Sequence, residues 1–388
     1  METRMEDAME KTNVRYCLKC GKCTGSCPLA RVNPEYSPRQ MVERATLGFK
    51  DRVLRSKGVW WCLTCRLCSE RCPQDVRYPD FIRACRAEAA SLGVEHRCAH
   101  GDMLAELQRA MTVPRLKQNR LGWIPKKASV STKGDLLYFV GCLPYFDAIM
   151  EKVKPDSIAI GQSVIQVLNS SGITPAVMPN ERCCGHDLLW TGDTESFEKL
   201  ARLNMEEIRK TGAKTVVFSC PEGYRTFKLD YADILGELPF EVLHTSELFS
   251  KLIDEGKLKF SQKINRKVVY HDPCRLGRHM RVFDSPRKVL SSIPGIQLVE
   301  MGRSRAEAMC CGVDAWMCNS NSKQMQVERL QEAKMSGADM LVTTCPKCQI
   351  HFRCVMNEKL PKAVFPVPDE AKIEVADLSE LVAKALGS

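Results

Sequence analysis

Two hydrophobic patterns alternate through the last two thirds of the chain. Short apolar runs occur at LLYF from Leu136, TVVF from Thr215, KVVY from Lys267 and MLVT from Met340. Their length and β-branched content predict buried strands. Segments with apolar residues three and four apart lie between them. FEKLARLNMEEIRKTGA (197–213) and MQVERLQEAKMSGA (325–338) predict amphipathic helices, each stopped by glycine. Strand and helix in alternation favour an α/β layer with a mainly parallel sheet. The first hundred residues read differently, as helices. In YSPRQMVERATLGF (36–49), Ser37 suits a cap, Pro38 the first position and Gly48 the stop. YPDFIRACRAEAASLG (78–93) again opens beside a proline and ends at glycine.

The pattern from Asp135 onward is duplicated. Cys142 and Cys274 lie 132 residues apart, Cys183 and Cys310 127, and Cys220 and Cys345 125. VIQVLNSSGITPAVMP aligns with RKVLSSIPGIQLVEM as helix, glycine and strand, and VLHTSELFSKLIDEG echoes IEVADLSELVAKALG. The predicted fold is therefore α+β and multidomain. A helical domain spans 1–100, a basic linker 101–134, and two α/β modules span 135–262 and 263–388.

Composition narrows the function classes. The 388 residues suffice for two or three domains, and 44% hydrophobic with 27% charged residues is ordinary for a globular chain. The longest apolar stretch, 136–146, is too short to span a bilayer. The N-terminal residues lack the apolar core of a signal peptide. The expectation is a cytoplasmic protein without a transmembrane segment, reaching a membrane only through a partner. A formal charge of +10 would suit nucleic acid, but no nucleic-acid module and no aromatic–basic interleaving are present. The basic run PRLKQNRLGWIPKK (114–127) reads as a solvated linker or docking surface.

The 21 cysteines are the outlier. Disulfide scaffolds are small and secreted, so these thiols point to metal or redox chemistry. CLKCGKCTGSCP (17–28) and CLTCRLCSERCP (62–73) both read C-x2-C-x2-C-x3-C-P. In this bacterial ferredoxin run three thiolates hold one [4Fe–4S] cubane and the fourth crosses to the other. The spacing assigns Cys17, Cys20, Cys23 and Cys72 to one cubane, and Cys27, Cys62, Cys65 and Cys68 to the other. Zinc needs only four ligands and no such run. Cys85, Cys98, Cys318 and Cys354 fall outside the pattern and read as packed thiols.

In each duplicated module a cysteine ends a strand, a Cys-Cys-Gly follows, and a further cysteine ends a second strand. Ligands in such sheets bind beyond the carboxyl ends of the strands. His186 and His271 stand beside these cysteines and read either as donors of a hydrogen bond to sulfur that would tune potential or as partly exposed loop histidines. Asp187 and Asp314 read as helix caps, and His244 as packing.

The doubled C…CCG…C-x-x-C module resembles the cysteine-rich repeat of heterodisulfide reductases. CGKCTGSCPLARVNPEYSPRQMVERATLG resembles the small ferredoxin component of that enzyme, and the remainder resembles its cysteine-rich component. The fused order resembles the family members that join the two in one chain. The resemblance implies a noncubane [4Fe–4S] cluster on Cys274, Cys310, Cys311, Cys345 and Cys348. The first module departs: Gly223 replaces its fifth cysteine, and the interval from Cys142 to its pair is slightly long. Cys142, Cys183, Cys184 and Cys220 remain, enough for an altered cluster, for zinc or for no metal. The resemblance implies an iron–sulfur electron-transfer subunit of an anaerobic oxidoreductase complex. Its expected partner is a flavin-containing donor subunit or a membrane cytochrome b, since no flavin or nucleotide fingerprint stands out here. Two other readings follow from the family: a catalytic subunit reducing the mixed disulfide of coenzymes M and B, and a quinone-linked subunit like that of anaerobic glycerol-3-phosphate dehydrogenase.

Overall fold

The structure is a computed structural model and describes residues 5–94, 98–357 and 367–387. The N-terminal region is helical throughout. Helix Pro38–Thr46 begins where the Ser37 hydroxyl accepts the Gln40 N–H, and Pro38 takes its first position. Gly48 follows at φ 79°, a left-handed stop. Helix Tyr78–Ser91 closes the domain, with Gly93 beyond it.

Two parallel sheets follow, one per module. β1 (Leu136–Phe139), β2 (Thr215–Phe218) and β3 (Glu241–His244) lie in the order β1-β2-β3. β4 (Arg266–Tyr270), β5 (Ile296–Val299), β6 (Met340–Thr343) and β7 (Glu374–Asp377) lie in the order β5-β4-β6-β7. Every pairing is parallel. The expected counterpart of β5 in the first module shrinks to an isolated bridge of Ala176 with Leu137. Pro175 precedes it and has no N–H to extend the ladder. Elsewhere the repeat is kept closely. His244 and Asp377 each cap the helix after the last strand, with Glu247 and Glu380 closing a capping box. His244 is thus a cap as well as buried.

The modules share a core: Val164 and Leu168 of the first pack in one cluster with Leu381 and Val382 of the second. The helical domain is fastened to both. Arg86, fully buried on helix Tyr78–Ser91, donates to the carbonyls of Val59, Cys62 and Trp190 and to Asp314 Oδ2 at 2.7 Å. Gly192 (φ 94°) meets this helix so closely that a Cβ there would lie 2.7 Å from the Arg86 carbonyl oxygen. Removing Arg86 leaves a buried carboxylate and three carbonyls short of donors. Arg86→Ala is expected to destabilise the chain by about 3–5 kcal/mol, read as a lowered midpoint in anaerobic denaturant unfolding.

The basic run is not a free linker. Arg120 is buried and bonds Glu181 Oε1 at 2.6 Å and the Gly141 carbonyl at 2.7 Å. Glu181 in turn accepts the Gly141 N–H at 2.7 Å. This pair fixes the loop leading into Cys142.

Candidate metal centres

Both cysteine runs wrap the same way. Lys19 and Gly21 in the first, and Thr64 and Arg66 in the second, have φ of 54°, 80°, 47° and 65°. Left-handed residues in such loops turn amides inward, as in anion-binding nests. The Lys19 N–H reaches Cys17 Sγ and the Thr64 N–H reaches Cys62 Sγ, each at 3.4 Å. Three of the four residues are not glycine, so each stores roughly 1–3 kcal/mol of backbone strain, as functional loops do.

Cys17, Cys20, Cys23 and Cys72 line one cavity, with Cys68 also on its wall. Cys27, Cys62, Cys65 and Cys68 line a second. Each run's fourth cysteine therefore faces the other run's cavity. The cavities differ in depth: Cys20 is exposed, whereas Cys62, Cys65 and Cys68 are buried. Burial lifts the Cys68 thiol well above its ordinary range, and binding to iron would reverse this by favouring thiolate.

The five cysteines of the second module converge. Cys310, Cys311, Cys345 and Cys348 lie in one buried cluster, and Cys274 packs against it. Cys65 of the buried ferredoxin cavity packs in the same cluster, within electrostatic reach of Cys310. The two sites share a wall, a juxtaposition that their separation of 245 residues in sequence gives no hint of.

The four remaining cysteines of the first module line one cavity with Gly223, His186, Asp187, Glu222 and Lys347. Cys142 Sγ lies 3.4 Å from Cys183 Sγ. Lys347 comes from the second module and bonds both Asp187 and Glu222. Burial pushes Glu222 up to about 7. Burial would also raise Asp187, but the Lys347 ammonium outweighs it and holds this carboxyl far below its ordinary range. His186, Asp187 and Glu222 lie close enough to share a metal ion, yet the Lys347 ammonium already bridges the two carboxylates.

Asp187 and Asp314 are therefore not helix caps. Asp187 also accepts from Gln108 at 2.9 Å and from the Trp316 indole at 3.0 Å. Asp314 accepts from Arg86 and from Arg275, the latter at 3.0 Å. Both are buried, where a carboxylate needs cationic partners more than backbone donors. The two histidines differ as well. His271 Nδ1 faces the Arg329 Nε donor at 3.2 Å, so its proton sits on Nε2, and the ring lies within electrostatic reach of Cys311. His186 Nδ1 instead faces Asp187 Oδ1 at 3.2 Å, which places its proton on Nδ1.

Family profiles match the same segments. A 4Fe-4S dicluster domain matches residues 13–76, and a cysteine-rich domain matches 136–228 and again 268–353. The chain joins a dicluster domain to a duplicated cysteine-rich domain. It is thus an iron–sulfur protein, and its donor set of clustered thiolates fits that chemistry. It is 37% identical to a subunit of the dihydromethanophenazine:CoB–CoM heterodisulfide reductase of Methanosarcina barkeri, over 70% of this chain and 64% of that one. It is 28% identical to a subunit of the fumarate reductase (CoM/CoB) of Methanothermobacter marburgensis, over 90% of this chain and 69% of that one. The chain thus spans about two thirds of the length of these curated relatives. A crystal structure of a hypothetical protein from Helicobacter pylori shares the fold, with a TM-score of 0.53 at 10% identity, covering 92% of this chain and 69% of that one. No described helix is long and apolar enough to cross a membrane.

Sequence reasoning missed the buried charges between the cysteine-rich domains. A signal was present in the repeat. Glu222 in CPEG and Lys347 in CPKC occupy equivalent positions with opposite charge, and they pair across the domain boundary.

Proposed function

We propose that this chain is an electron-transfer subunit of a larger oxidoreductase complex, with two cubane sites in the dicluster domain and a noncubane site in the second cysteine-rich domain. The packing of Cys65 and Cys310 in one buried cluster, with Arg278 bonding the Cys65 and Ala308 carbonyls, carries this reading. It makes a line of three adjoining sites, from solvent at Cys20 through the buried cavity to the second cysteine-rich domain. Iron–sulfur clusters supply one-electron transfer at such sites. The chain's residues bury most of the thiols of the inner two sites and hold them side by side.

The ligand sets proposed are Cys17, Cys20, Cys23 and Cys72; Cys27, Cys62, Cys65 and Cys68; and Cys274, Cys310, Cys311, Cys345 and Cys348. The first cysteine-rich domain is proposed to hold an altered cluster, zinc or no metal on Cys142, Cys183, Cys184 and Cys220. A partner protein, flavin-containing or a cytochrome b, would meet the exposed rim at Cys20. Tyr16 and Leu18 are exposed there, and Lys19 and Lys22 flank them.

A second reading, reduction of a disulfide between the cysteine-rich domains, draws on one observation: Cys220 and Cys345 lie within electrostatic reach of each other across the domain boundary. Gly223 weighs against it by leaving one side a ligand short.

Iron, acid-labile sulfide and zinc counted per chain after anaerobic purification test both readings. Three clusters predict about twelve irons and four about sixteen. About eight would overturn the assignment of the second cysteine-rich domain. About sixteen would move the balance to disulfide cleavage.

A further inference from the structure

Arg278 is buried to 1% exposure, and among the described residues no carboxylate pairs with it. Its Nε donates to the Cys65 carbonyl at 2.5 Å. Its Nη1 donates to the carbonyls of Ala308 at 2.6 Å and Ala306 at 3.2 Å, just before the Cys310–Cys311 pair. Its Nη2 is buried without a partner. Carbonyls satisfy N–H groups but do not neutralise a charge, and an uncompensated buried guanidinium is costly. The neighbouring cations do not explain it either. Arg86 and Arg275 already share the single carboxylate of Asp314.

The missing negative charge lies on two sides. Its hydrogen bonds hold Arg278 between the Cys65 backbone on one side and the segment leading into Cys310 on the other, and Cys274 lies four residues before it in the chain. Cys65 belongs to the buried dicluster cavity, and Cys274 and Cys310 to the second cysteine-rich domain. Four thiolates around a 2+ cubane core leave a net charge of roughly −2, so the filled buried cubane site compensates the guanidinium, and the thiolates of the second cysteine-rich domain add negative charge on the other side.

We propose that Arg278 is a positioning residue shared by two cluster sites, its buried charge raising the reduction potential of both. The proposal rests on the reading that both sites are filled. An electron added to either site gains the same attraction, with no proton required. The exposed cubane site at Cys17, Cys20, Cys23 and Cys72 has no such role for Arg278 and serves as an internal control.

The test is a dithionite titration of the whole anaerobic protein followed by electron paramagnetic resonance, on wild type, Arg278→Gln and Arg278→Lys, with iron counted first. About twelve irons in wild type are required. About eight would mean that the functional reading has failed, which is a separate result. With the iron in place, Arg278→Gln is expected to lower two midpoints by at least a tenfold change in the one-electron equilibrium, 59 mV, and to leave the exposed cubane unchanged. Arg278→Lys keeps the charge and is expected to leave both inner midpoints near wild type. Two unmoved midpoints in the Gln variant, or three moved together, would overturn the proposal. Should the Gln variant not assemble, the Lys variant decides: loading with both inner midpoints kept supports a shared charge, and a shift at only one inner site, or failure to load, overturns it.

Discussion

With zinc or no metal in the first cysteine-rich domain, Gly223→Cys is expected to raise the iron content by about four atoms per chain, from about twelve to about sixteen. Gly223 occupies the position that Cys348 fills in the second cysteine-rich domain. A Cβ built on Gly223 lies 3.9 Å from the Cβ of Cys184, so a thiol there faces the same cavity as the other four. The glycine lies in helix Pro221–Arg225 with no positive φ, and a side chain meets no backbone strain. The obstacle is Phe218, whose Cδ1 would lie 3.1 Å from the new Cβ. That ring must yield by a few tenths of an ångström, so Gly223→Cys should be paired with Gly223→Cys/Phe218→Leu. Iron and sulfide analysis reads the result. If neither variant gains iron, the missing fifth cysteine is not what separates the two cysteine-rich domains. If the gain appears, the two-cluster disulfide reading can be tried on a single chain by supplying a disulfide and measuring free thiol.

Cys27→Ser is expected to remove the buried cubane and spare the exposed one. Cys27 belongs to the first run in sequence but lines the cavity of the second. Burial pushes its thiol well above the ordinary range, so serine, a poorer ligand still, should not hold iron there. The iron count should fall by about four. Reductive titration should still show the exposed cubane, while a donor acting at the surface should no longer reduce the second cysteine-rich domain at a measurable rate. Loss of the exposed cubane instead would mean that the runs do not cross. Undiminished reduction of the second cysteine-rich domain would mean that the line of three sites is not the route.

Much of this was legible in the sequence because cysteine spacing is a local constraint. Three thiols at C-x2-C-x2-C reach one centre wherever the run is placed, so the dicluster domain could be read without knowing its neighbours. Ser37, Pro38 and Gly48 mark a helix through backbone chemistry that acts within a few residues, and helix Pro38–Thr46 follows them. The duplicated strand ends carry Cys142, Cys220, Cys274 and Cys345 by the same local logic, and the repeat interval exposed Gly223 as the departure. Local signals failed where one residue could break a ladder, as Pro175 does beside Ala176. They failed also where acidic residues near helix starts, Asp187 and Asp314, took cations from distant segments instead of capping.

The sequence by itself marked which cysteines are spaced as metal ligands, and Gly223 as the departure from the repeat. The tertiary structure decided their order in space. Cys65 packs with Cys310, Cys220 lies near Cys345, and Arg278 bonds both the Cys65 carbonyl and the Ala308 carbonyl before Cys310. None of these relations is periodic or local. Each arises because packed domains exclude water and must pair every charge they bury, and only the folded chain determines which charges those are.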